Sequence, residues 1–96
     1  MFIVLLRFAQ NKNRASDFMD GHNQWIKRGF EDKVFLIVGS LQSGGGGFVI
    51  VHGESREALE HRVNQDPFVA EKIVTAEIME LDPKKADARL DFLLTK

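Results

Sequence analysis

The chain contains no cysteine, which rules out disulfides and thiolate metal sites. A reducing compartment fits that composition, and a cytoplasmic location is expected. Neither charge is in excess: 13 Lys and Arg stand against 14 Asp and Glu, mixed along the chain, for a net charge of −1. Such a balance offers no basic field for nucleic acid and no polybasic patch for a membrane surface. No apolar run approaches the roughly 20 residues that a bilayer-spanning helix needs. The opening "MFIVLLRFA" lacks the charged lead and small-residue cleavage site of a targeting segment, and reads as a strand. The three histidines show neither HxxxH nor HExxH spacing, so no closed metal site is expected and no cofactor is implied.

What is present is an ordinary folding chain, 44% apolar and 28% charged. Three apolar runs rich in β-branched and aromatic residues, "FIVLLRFA" (2–9), "VFLIVGSL" (34–41) and "FVIVHG" (48–53), are bounded by turn formers and predict strands. A fourth, "KIVTAEIMEL" (72–81), alternates, with Val74, Ala76 and Ile78 on one face. Between them lie two helical patterns. Phe18, His22, Trp25, Ile26 and Gly29 keep the spacing of one buried stripe. Ser55 is a natural cap for "REALEHRVNQ", whose Ala58, Leu59 and Val63 face inward. Gly44 to Gly47 close a hairpin between the second and third strands.

The order is β-α-β-β-α-β, an α+β ferredoxin-like arrangement with a four-stranded antiparallel sheet and two helices on one face. Asp82-Pro83 resembles a cap with proline at the first helical position, opening a tail helix whose Ala86, Leu90, Leu93 and Leu94 share a face. One domain over 1–96 is expected, a core of 1–81 followed by a tail segment, 82–96. The first three strands are apolar on both faces, and two helices cover only one face. The other face must be buried, which predicts a homodimer packed sheet against sheet.

His22 lies near the centre of the first helix's apolar arc. Taken alone it reads first as a core histidine satisfied by a carbonyl, with a functional ring as the alternative. Gly21 beside it costs about 1 kcal/mol against alanine in a helix, which suggests room kept for a ligand or a close backbone. Asp66 in "NQDPFVAEKI" reads as a helix cap followed by Pro67, a role that occupies only one carboxylate oxygen.

These residues carry a resemblance. The sequence over about the first 81 residues resembles the YCII-related (YciI-like) proteins of the dimeric α+β barrel superfamily. It does so through the first-helix His22, "VFLIVGSL" with Gly39, the glycine hairpin, and "ESREALEHRVNQDPFVAEKIV" with its "DPFV". The resemblance implies a dimeric α+β barrel with a histidine and an aspartate, here His22 and Asp66, as a catalytic pair in a cleft. Arg7, Trp25, Gly39, Ser40 and Phe68 are the candidates for its substrate-binding walls, with Arg7 as counter-charge for an anionic ligand.

A His–carboxylate pair without a nucleophile suits proton abstraction and return, as in isomerisation of, or elimination from, a small cyclic or aromatic acid. Neither Ser40 nor Ser43 is paired with a base, which disfavours acyl transfer. His52 and His61 read as solvated or hairpin-proximal. The glycine run precedes a strand rather than a helix and so is no phosphate loop. RNA-recognition modules share this element order, but "GGGGFVIV" lacks their basic residue and stacking rings. The rival to an enzyme is a non-catalytic dimer binding a small metabolite in the same cleft. A third reading is a protein partner engaged through the tail.

Overall fold

A computed structural model of the chain describes residues 1–94. The final two residues of the expected tail segment, 95 and 96, lie outside the described residues. Strand β1, Phe2–Phe8, runs through the middle of an antiparallel sheet of order β2-β3-β1-β4, with β2 at Phe35–Ser40, β3 at Gly46–Val51 and β4 at Val74–Glu80. Period-two alternation divides β1 cleanly. Phe2, Val4 and Leu6 are buried, while Arg7 is exposed on the other face. Val49 and Ile78, which flank Val4 in register, continue the inner face.

Helix α1, Ala15–Glu31, follows a 3-10 turn at Lys12–Arg14 and buries Trp25 and Gly29. Helix α2, Arg56–Asn64, starts where Ser55 accepts a hydrogen bond from the Ala58 amide, and buries Leu59 and Val63. Ala58, expected inward, is exposed, because the arc that meets the sheet is only Leu59 and Val63 wide. A single further turn, α3 at Pro67–Ala70, is capped by Asp66. The core joins these helices to the inner sheet face through Trp25, Leu59, Val63, Phe68 and Ile73.

The third strand starts at Gly46 rather than at Phe48. Gly46 pairs with Arg7 at φ +140°, and a Cβ there would run into the Leu6 carbonyl. The tail also departs from expectation. Asp82-Pro83 opens no helix; a short 3-10 helix forms later, Ala88–Leu93, capped by the Asp87 carboxylate on the Arg89 amide. The kink at Leu90 shows how little holds it. Arg89 donates to Asp87 as well, and the side-chain bond first, then the amide bond, lowers the pKa of Asp87 below the ordinary carboxylate value.

Arg62 ties the helical layer together. Its guanidinium makes a bidentate bond to Glu54 at 3.0–3.1 Å and reaches Asp32 at 3.0 Å, just past the end of α1. Bonding to Glu54 raises its pKa above the usual guanidinium value, against the opposing effect of burial. Its backbone carbonyl accepts the Trp25 indole N–H at 2.8 Å. Helix α1 is thereby set against the end of α2, four residues before Asp66. Among the described residues, no helix is long and apolar enough to cross a membrane.

Candidate functional site

The site forms where α1 crosses α3. Gly21 makes this crossing close: a Cβ at that position would stand 3.0 Å from the Pro67 ring. The room kept by the missing side chain is therefore filled by proline, not by a ligand. One residue along, His22 lies flat on Phe68, with ring centroids 4.0 Å apart and planes 4° from parallel, and Trp25 flanks it at 5.9 Å. Few other orientations are open to a ring stacked so closely.

Asp66 takes extended backbone angles and turns its side chain back over α3. Its Oδ1 accepts from the Phe68 amide at 3.0 Å and lies 2.8 Å from His22 Nδ1. A carboxylate only accepts, so the proton of this second bond belongs to Nδ1. Nε2 then keeps its lone pair. It has no hydrogen-bond partner among the described residues, and it is not sealed from solvent. The carboxylate itself is fully buried, and its Oδ2 has no donor among the described residues. An orphaned buried acceptor costs about 1–3 kcal/mol. Asp66 is thus a poor choice for stability alone, since an uncharged cap would serve the helix.

His22 borders a cavity of about 260 Å³. Helix α1 contributes Met19, Asn23 and Ile26 beside it, and Phe68 and Val74 close one wall. The sheet contributes Leu6 and Phe8 from β1, Val38, Gly39 and Ser40 from β2, and the two glycines Gly46 and Gly47 from β3. The lining is mostly apolar, with three polar side chains, His22, Asn23 and Ser40. A few polar groups converging on an apolar hollow is the usual form of a small-molecule site. A larger hollow of about 430 Å³ lies at the other end of the sheet, between Met1, His52, Glu80 and the tail. A third, about 420 Å³, lies beside Lys72 and the start of β4. The first of these has His52, Glu80 and Asp82 in its wall, but among the described residues His52 makes no hydrogen bond to a carboxylate. The second has no histidine, so size does not select the site.

Of the wall residues named from sequence, Gly39, Ser40 and Phe68 border the cavity, whereas Trp25 and Arg7 do not. Trp25 is buried behind the histidine, because its indole N–H needs an acceptor and finds the Arg62 carbonyl. Arg7 falls on the odd face of β1, turned from the helices, and pairs with Glu77 across the strand at 2.6 Å. Alternation along a strand decides this, so Arg7 is no counter-charge for this cavity. Met19 and Asn23 were missed. Met19 stands one turn before His22, and that i, i−3 relation was legible in the sequence. Asn23, four residues after Met19 and three before Ile26, carried the same spacing signal. His52 meets the tail edge-on through Phe92 at 5.5 Å, and His61 is exposed.

No family model matches the chain, and no curated protein matches it. Among solved structures, its fold is similar to that of 5-chloro-2-hydroxyhydroquinone dehydrochlorinase from Burkholderia phenoliruptrix AC1100, determined in complex with 2,5-dihydroxybenzoquinone. The TM-score is 0.68 over 85% of this chain and 94% of that one, at 15% sequence identity. The likeness is one of fold.

Proposed function

We propose that this chain is a YCII-related protein, with residues 1–81 as the family core, acting as a cofactor-independent enzyme of the isomerase or lyase type on a small cyclic substrate. His22 is the general base and then the acid. Nε2 takes a proton from the substrate and returns it to another atom or to the leaving group. Asp66 fixes the tautomer and offsets the charge that the ring acquires on taking that proton. Phe68 and Trp25 hold the ring plane. The observation that carries the reading is the 2.8 Å contact between Nδ1 and a fully buried carboxylate, with Nε2 left without a partner beside a cavity. A dehydrochlorinase on a similar fold is in keeping with elimination chemistry.

The working unit in this reading is a cytoplasmic homodimer. The uncovered sheet face supports it, since Ile37 is 55% and Met79 41% exposed there, beside half-buried Ile3, Leu5, Phe48 and Ile50.

The test is solvent-deuterium exchange into enolisable cyclic ketones and hydroxylated or halogenated rings, followed by NMR. At least one compound should exchange, and His22→Gln should slow it by about 10²–10⁴-fold. Exchange that survives His22→Gln, or a ligand bound in the cavity with no exchange across the panel, overturns the enzymatic reading. The second outcome leaves a metabolite-binding dimer.

A further inference from the structure

Among the described residues, the cavity beside His22 has no cation in its wall. Its thirteen lining residues include no lysine and no arginine. None of the nearby cations lines the cavity: Lys12 lies over the ring of the wall residue Phe8 at 4.8 Å, Arg14 over the Phe18 ring at 5.2 Å, and Arg7 is bound to Glu77 on the opposite sheet face. Behind the one titratable wall residue, His22, stands the Asp66 carboxylate. With a neutral ring the pair carries one negative charge; with a protonated ring it carries none. It never offers a net positive charge.

From this we infer that the site selects an uncharged ring bearing hydroxyl or carbonyl oxygens, and rejects carboxylates and phosphates. Met19, at the mouth, is the position that sets this choice. The inference deepens the proposed function and rests on the same cavity. A ring anion would give up its hydration to enter an apolar hollow, would meet no counter-charge, and would stand one imidazole from a carboxylate. An uncharged hydroxylated ring pays none of these costs. Its oxygens find groups that both donate and accept, the Asn23 amide and the Ser40 hydroxyl, neither of which has another partner among the described residues. Phe8 and Phe68 supply flat apolar surface for the ring itself. Met19 is the wall residue best placed to change the balance. It lies one helical turn from His22, it is 42% exposed, and its unbranched side chain can be replaced by lysine without adding bulk to the core.

The experiment is titration of isotopically labelled protein near neutral pH with resorcinol and, separately, with benzoate, reading the amide shifts of Asn23, Ser40 and Phe68. Resorcinol should bind at least about tenfold more tightly than benzoate, as an unpaired buried charge demands. Met19→Lys should move that ratio at least about tenfold toward benzoate, and Asn23→Lys, also at the exposed mouth, should move it the same way. The inference is overturned if benzoate binds the unaltered protein as tightly as resorcinol, if neither probe shifts these amides, or if neither lysine variant changes the ratio. His22→Gln separates this result from the catalytic reading: it should abolish proton exchange yet keep the preference for resorcinol. Exchange that survives His22→Gln with the preference intact counts against proton transfer alone. Exchange that depends on His22, with no preference for resorcinol, counts against the inference alone.

Discussion

At the scale of single residues, the informative group is Asp66. One of its oxygens does two things, capping α3 through the Phe68 amide and meeting His22 Nδ1, while the other is buried without a donor among the described residues. Capping alone is worth about 1 kcal/mol, and the orphaned oxygen costs at least as much. The remaining contribution must come from the bond to His22. A double-mutant cycle measures it. His22→Gln, Asp66→Asn and the pair, compared by urea denaturation, should show a coupling of about 1–3 kcal/mol, as expected for two hydrogen-bonded groups in contact. Additive effects would mean that the two side chains are neighbours without being partners. The sequence displayed both residues, one on an apolar arc and the other before a proline. It did not display their meeting, because 44 residues separate them and only the crossing of α1 over α3 brings them together.

At the scale of elements, that crossing rests on a glycine. In a helix interior alanine is better than glycine by about 1 kcal/mol, so Gly21 is a local sacrifice. Its reason is tertiary: a Cβ would press on Pro67 at 3.0 Å, and the helix would have to back away by a few tenths of an ångström. Gly21→Ala should therefore show a split response. The propensity gain and the steric cost oppose each other, so stability should fall by no more than about 2 kcal/mol. With His22 as the base, as proposed above, the exchange rate should fall about tenfold, because displacement of α1 lengthens the bond to Asp66 and misaims Nε2. Thermal denaturation together with the exchange rate distinguishes this from simple destabilisation. The tail teaches the converse lesson. Asp-Pro was a good local signal for a helix start at 82, yet the helix begins at Ala88. A short segment whose Leu90, Phe92 and Leu94 are largely exposed has too little packing to enforce a local preference.

For the whole molecule, the two sheet faces carry different information. The inner face is covered by α1, α2 and α3, and of the β4 residues that alternation puts there Val74 and Ile78 join the core while Ala76 stays exposed. The outer face keeps Ile3, Leu5, Phe48 and Ile50 beside the exposed Ile37 and Met79, with the Arg7–Glu77 pair at one end. In a symmetric dimer a change at Ile37 is present twice. Ile37→Lys should weaken self-association at least tenfold by sedimentation equilibrium, a modest figure for two charges placed in an apolar interface. The fold itself should survive, since Ile37 is already 55% exposed. A monomer before substitution would leave that face in need of another explanation.

Element order, the two faces of β4 and the caps at Ser55 and Asp66 were legible because they depend on spacings of two and three to four residues and on neighbours within a turn. Ser55 and Asp66 cap the helices they precede for the same local reason. Which polar side chains share a cavity depends on strand register and on how helices cross, and neither is a local quantity. Arg7 went to Glu77, Trp25 went to the Arg62 carbonyl, and Met19 and Asn23 came to the wall beside His22. The absence of positive charge in the composition of that wall therefore had to come from the packed chain, since the sequence has 13 basic residues and packing alone decides where each one points.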